Sequence, residues 1–227
     1  MPSARAFAFF DVDETLISVK SMFSFFRFWC HDWICNPKLW ARFQNHFEEL
    51  RTESQPRTVL NREYYRFFAG VRPDELAHAG EAWVRKMRTE RDDFFVHPTL
   101  DSLRKLAAHG VEPVLVSGSF PAVLRPLARE FGASDLLCTH MQVDVQGAYT
   151  GEISPPQTIG DGKAAAISAF LDDRQVSAAR CWAFGDDTSD LPMLEAVGKP
   201  VVVGDRGTLV EIAHDRAWQV IGRIAAG

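Results

Sequence analysis

The sequence is short of cysteine, has no excess of basic charge, and contains no apolar run long enough to cross a bilayer. Four cysteines in 227 residues, Cys30, Cys35, Cys138 and Cys181, are too few and too scattered for a disulfide scaffold of the secreted type. Cys30 and Cys35 flank His31 and Asp32, but neither the spacing nor a second Cys or His pair favours zinc, so ordinary buried thiols are expected. Thirty acidic residues against 25 basic ones give a formal charge of −5. No basic tail or stripe is present to bind nucleic acid through bulk charge. The most aromatic stretch, Met22 to Trp40, is interrupted by Arg27, His31, Asp32 and Lys38, so no integral membrane association is expected. The opening MPSARAFAFFDVDE meets acid before any long apolar stretch and predicts no signal peptide. Repeats and low-complexity segments are also absent. A reduced, cytoplasmic protein is the expectation.

What is present is a folded-protein composition, 46% apolar and 24% charged, in a chain long enough for one domain or a core with an inserted lobe. Short apolar runs at Arg5–Phe10, Val111–Val116, Arg180–Phe184, Pro200–Val203 and Trp218–Ile221 read as buried strands. Helical stretches over Pro121–Phe131, Lys163–Leu171 and Leu191–Val197 alternate with the later runs. That alternation predicts an α/β protein with a parallel sheet covered on both faces, and such sheets bind ligands beyond the carboxyl ends of their strands. From Ile17 to Val96 the pattern is instead helical, with Met22, Phe25, Phe26, Trp29 and Trp33 on one face and further helices over Leu39–Arg51, Val59–Phe68 and Pro73–Thr89. Alternation around Gln146-Gly147 predicts a hairpin over Gln142–Ile153.

Three strands end in reactive residues. Asp11 and Asp13, alternate positions at the end of the first, place two carboxylates toward one side, where they repel unless a cation or shared proton intervenes. Gly185-Asp186-Asp187-Thr188-Ser189-Asp190 follows another strand. Asp11 and Asp186, with a backbone carbonyl of the first loop, suit Mg²⁺ better than a Ca²⁺ cage. Thr188, Ser189 or Asp190 also qualifies as a helix cap, which accounts for one of these residues but not for all. Ser117-Gly118-Ser119 before the helix at Pro121 is a cradle for an anion. Lys163 in Gly160-Asp161-Gly162-Lys163 opposes the dipole of the helix it starts, unless it serves an anion. Together these groups describe phosphoryl transfer: a metal, donors for the equatorial oxygens, a carboxylate nucleophile, and a second carboxylate for the leaving group's proton.

In this order, DVDET at 11–15, VLVSGS at 114–119, GDGK at 160–163 and AFGDDTSDLPML at 183–194 resemble the four motifs of the haloacid dehalogenase superfamily. The likeness covers nearly the whole chain and is greatest to the phosphoserine-phosphatase-like branch. It implies a Rossmann-like core over 1–16 and 97–227 with an all-helical C1-type cap over 17–96. It further implies Asp11 as nucleophile and Mg²⁺ ligand, and Asp13 as general acid/base that lends the metal its backbone carbonyl. Ser117, Gly118 and Lys163 would hold the phosphoryl group, Asp186 would be the second carboxylate ligand, and Asp190 would support Lys163. The expected activity is hydrolysis of a small phosphorylated metabolite. A glutamate of the phosphoserine enzymes falls at Lys20, which either points into solvent or, facing the site, repels an ammonium and welcomes an anion. Phosphoserine is therefore less favoured than histidinol phosphate, a nucleotide, a lysophospholipid or another small monoester. His31, Arg62 and Arg66 of the helical region could meet a substrate, but a surface or core place is the expectation for each. A phosphotransferase using the same aspartyl-phosphate is the nearest alternative, and a non-catalytic capped module the more distant one. A signalling receiver is disfavoured, because its acceptor Asp follows a mid-chain strand with no helical insert.

Overall fold

The computed structural model describes residues 5–223. Strand β1 (Phe7–Phe10) is FAFF, with every residue buried. Its period of two sends Ala8 and Phe10 into one apolar cluster and Phe7 and Phe9 into another, so both faces of the sheet are covered from the first strand onward.

After β1 come α1 (Ser21–Phe28), a π-helical turn (Trp29–Trp33), α2 (Pro37–Thr52), α3 (Arg57–Arg66) and α4 (Pro73–Glu90). The chain enters and leaves this helical stretch side by side. The Val96 amide donates to the Leu16 carbonyl at 3.0 Å and the Ser18 amide to the Phe94 carbonyl at 2.8 Å. The α/β alternation then resumes with α5 (His97–Ala108), β2 (Glu112–Ser117), α6 (Pro121–Phe131) and β3 (Asp135–Cys138). A hairpin of β4 (His140–Val143) and β5 (Tyr149–Ser154) follows, then α7 (Asp161–Arg174), β6 (Trp182–Gly185), α8 (Leu191–Glu195), β7 (Lys199–Val203), α9 (Thr208–Asp215) and β8 (Gln219–Ile221). The sheet is parallel, in the order β3-β2-β1-β6-β7-β8, so the chain reverses direction across the sheet on either side of β1. That reversal opens a crevice at the carboxyl ends of β1, β2 and β6.

All five strands expected in the sheet are there, within two residues of their expected ends, and so is the hairpin. The short β3 and the helices α5 and α9 had not been anticipated. β3 lies at the sheet's edge, with three of its four residues only half-buried, so it lacks the apolar run that marks the central strands. Met22, Phe25 and Phe26 share a helix as expected, but the π-helical turn ends that periodicity, and Trp33 stands exposed. The aromatic rings of α1, α3 and α4 pack together and onto Phe120 at the start of α6, in the same cluster as Phe10 and Leu115 of the sheet. Gly80 on α4 permits the closest approach: a Cβ there would overlap the Ala122 carbonyl of α6. Among the described residues no helix is long and apolar enough to cross a membrane.

Candidate active site

Asp11 directly follows β1, and its amide donates to the Phe184 carbonyl of β6 at 2.9 Å, which fixes the loop over the crevice. Lys163, in the first turn of α7, points its ammonium between two carboxylates, 2.5 Å from Asp11 Oδ1 and 2.6 Å from Asp190 Oδ1. All three side chains are at most 7% exposed. The cation that opposes its helix dipole therefore does serve anions. Burial pulls the Lys163 pKa down, but the two carboxylates outweigh it and hold the ammonium above the ordinary lysine range. Asp11 is raised well above the carboxylate range, first by burial and then by Asp190, Asp186 and Asp13, against the pull of Lys163.

Asp190 does more than meet Lys163. Its Oδ2 accepts the amides of Asp186 at 3.2 Å and Asp187 at 3.3 Å, while Asp187 accepts the Ser189 amide at 2.9 Å; together they form a capping box over the short 3₁₀ turn Thr188–Asp190. Asp187 is thus the side-chain cap of the 3₁₀ turn, while Asp190 occupies the N-cap position of α8 without a capping bond of its own to that helix. Gly185 makes this loop possible, since a Cβ there would stand 2.7 Å from that of Asp190. Asp186 accepts from Thr15 Oγ1 at 3.1 Å and from Arg223 Nη2 at 2.5 Å. Burial, followed by the Asp190 carboxylate, raises it to about 6.

Carboxylate oxygens of Asp11, Asp186 and Asp190 lie within 4.8 Å of one another. Hard oxygen donors in a mutually repelling group fit a divalent cation of the Mg²⁺ type. Asp13 faces the same cavity, its Oδ1 is buried without a hydrogen-bond partner, and burial raises its pKa. Across the cavity, Ser117 Oγ at the end of β2 accepts the Ser119 amide at 3.1 Å. The Gly118 carbonyl is turned away toward α3, where Asn61 Nδ2 donates at 2.9 Å and Tyr65 Oη at 2.7 Å.

The cavity these residues share has a volume of about 520 Å³. Asp11, Asp13, Ser117, Gly118, Lys163, Asp186 and Asp190, drawn from four separate stretches of the sequence, all line it. Lys20 reaches it as well, although its ammonium pairs with Glu14 and is half-exposed. His31, Arg62 and Arg66 do not line it, and Arg66 pairs with Glu63 and Glu152 instead. Several lining residues went unnoticed in the sequence: Arg51, Arg57, Leu60, Asn61 and Tyr64. Asn61 carried a signal, as a polar residue sharing a helix face with Tyr64 and Tyr65 at spacings of three and four. Arg51 and Arg57 carried none.

The fold and the site are those of a hydrolase with a buried carboxylate–lysine centre at the switch point of a parallel sheet. The haloacid dehalogenase-like hydrolase model matches residues 8–195. A probable phosphatase of Mycobacterium tuberculosis is 32% identical over 97% of this chain and 76% of its own length. A histidinol-phosphatase of Neisseria meningitidis is 22% identical over 94% and 97%. Among solved structures, a protein of unknown function from Bordetella pertussis is 26% identical, with a TM-score of 0.86 over 98% of this chain and 100% of that one. A substrate-bound phosphoserine phosphatase shares the fold at 13% identity, with a TM-score of 0.65 over 97% and 94%. The chain belongs to the haloacid dehalogenase-like hydrolase family. Within that family it stands with the phosphatases.

Proposed function

We propose that the chain is a Mg²⁺-dependent phosphomonoesterase that hydrolyses a small phosphorylated metabolite through an aspartyl-phosphate on Asp11. The observation that carries this reading is the buried Lys163 ammonium between Asp11 and Asp190, with the Asp13 carboxyl, its Oδ1 without a hydrogen-bond partner, on the same cavity. Ser117 Oγ, the Gly118 segment and Lys163 Nζ hold the phosphoryl oxygens. A carboxylate of Asp11 attacks phosphorus as the bond to the ester oxygen breaks. Asp13 gives its proton to the departing alkoxide, which leaves as the alcohol. The Asp13 carboxylate then takes a proton from water, and the resulting hydroxide displaces Asp11 from phosphorus, releasing phosphate. Asp11, the Asp13 backbone carbonyl and Asp186 would hold the metal, and Asp190 keeps Lys163 in place. Bound Mg²⁺ supplies positive charge that offsets the repulsion between these carboxylates and the phosphate.

Residues 17–96 act as a cap over the core formed by 1–16 and 97–227, and close the crevice above the motif residues. Lys20 on the rim disfavours an ammonium near the phosphate, which speaks against phosphoserine. Scattered thiols and the absence of a spanning helix among the described residues fit a cytoplasmic setting. The test is phosphate release from a panel of monoesters with Mg²⁺, comparing wild type with Asp11→Asn. Loss of turnover in the variant, and in wild type after chelation, is expected. Hydrolysis retained by Asp11→Asn would sink the nucleophile assignment, and activity surviving exhaustive chelation would remove the metal.

A further inference from the structure

Resting on that reading, we propose that the alcohol part of the substrate is apolar, a short alkyl or aromatic body seated on a wall formed by Met22, Phe23, Leu60 and Ile159. The cavity has two chemically different ends. Its floor holds the motif carboxylates, Ser117 and Lys163, and its walls are these four side chains together with Phe47 and Tyr64. Met22, Phe23, Leu60 and Ile159 are only half-buried and line the cavity. A concave apolar surface left open to water is the mark of a ligand site, and about 520 Å³ lies within the range of roughly 300–1,000 Å³ usual for small ligands.

Most polar side chains along the walls are already committed; Ser119 Oγ, next to the floor residues Ser117 and Gly118, is the one buried without a partner among those described there. Asn61 gives Nδ2 to the Gly118 carbonyl and receives Gln157 Nε2 on Oδ1 at 2.7 Å. Tyr64 Oη donates to the Met22 carbonyl at 2.8 Å. Arg57 holds Asp187 at 2.6 and 3.1 Å and Ser189 Oγ at 2.7 Å, while Lys20 holds Glu14. Arg51 lies over the Phe23 ring, its guanidinium carbon 5.3 Å from the centroid, and so extends the apolar wall with its stem. The carboxylates that line the cavity belong to the floor or, in Asp187, to Arg57. Along these walls an ammonium would lose water and find no free carboxylate, and a polyol would find only the Arg51 guanidinium, whereas an alkyl or aryl group loses nothing by leaving water.

The test uses phosphonates, which the enzyme cannot hydrolyse, binding to the Mg²⁺-loaded wild-type chain by calorimetry. Along the series methyl-, propyl-, pentylphosphonate, the Kd is expected to fall about fourfold per methylene, the value for transfer from water. Propylphosphonate is expected to bind more tightly than 2-aminoethylphosphonate. Leu60→Asn should flatten the series while leaving inorganic phosphate binding unchanged; Phe23→Ser serves the same purpose if the first variant does not fold. A Kd independent of chain length, or tighter binding of the amine, overturns the proposal. A flat series together with turnover of sugar phosphates or phosphoserine would remove the apolar body and leave the phosphatase reading. A steep series with no phosphate released from any monoester would do the reverse.

Discussion

Lys163→Met deletes one ammonium and little else, because the methionine stem follows the path of the lysine stem. Two carboxylate oxygens, 2.5 and 2.6 Å from Nζ, lose their cation in surroundings where all three side chains are at most 7% exposed. Breaking one partner out of a buried ion pair costs about 3–5 kcal/mol, because the charge left behind is neither solvated nor paired. For a chain of this size each kcal/mol moves the melting temperature by about 2–4 °C, so a loss of roughly 6–20 °C is expected. The measurement is thermal unfolding in EDTA, which keeps divalent ions from replacing the lost charge. The deficit must also depend on pH. Burial raises Asp11, and Lys163 is the group that pulls it down, so the variant raises it further. A carboxyl whose folded pKa exceeds its unfolded value contributes fully below the unfolded pKa and loses that contribution as pH rises through the folded one. The deficit is therefore small near about pH 4 and grows as the pH rises above it. A deficit below about 1 kcal/mol at alkaline pH, the range of exposed pairs, or one that does not change with pH, would refute the reasoning.

Other consequences are more direct. Asp13→Asn is expected to slow hydrolysis of alkyl phosphates by about 10²–10⁴-fold, while a nitrophenyl ester, whose leaving group needs no proton, gives a burst of about one equivalent of nitrophenol before slow turnover. Stopped-flow absorbance reads this; the absence of a burst would remove Asp13 as the base that activates water, and unslowed hydrolysis of alkyl phosphates would remove it as the acid. Gly80→Ala would ordinarily favour a helix by up to about 1 kcal/mol, but here the added Cβ overlaps the Ala122 carbonyl, so a loss of about 1–3 kcal/mol in urea unfolding is expected. A stabilised variant would show that α4 and α6 are not in close contact. Burial pushes Cys30 and Cys138 up to about 12 and also raises Cys181, whereas Cys35 is exposed. Alkylation of the folded protein followed by mass spectrometry should therefore label Cys35 first, and rapid labelling of a second thiol would contradict the packing.

Much of the molecule is written locally. FAFF before Asp11, the apolar runs before Ser117 and Gly185, and Pro121 ahead of its helix mark strands and helix starts through short-range sterics and hydrophobic period, which need no knowledge of the fold. Asp11, Ser117 and Asp186 were legible for the same reason, since each follows such a run and a parallel sheet collects strand ends, whereas Lys163 stood out as a cation at a helix start. The edge strand β3 was hidden because its residues are half-buried and owe their conformation to pairing with β2. The pairing of Asp187 with Arg57, 130 positions away, and of Asp186 with Arg223, 37 away, had no local trace either. Nor did the cavity lining that Phe23, Leu60 and Ile159 share, since complementarity across such separations belongs to the packed chain and to no stretch of it. The sequence by itself determined which carboxylates and donors gather at the floor of the cavity, because strand ends and helix starts are marked locally. Only the tertiary structure decided what stands above that floor, because helices distant in the chain supply it.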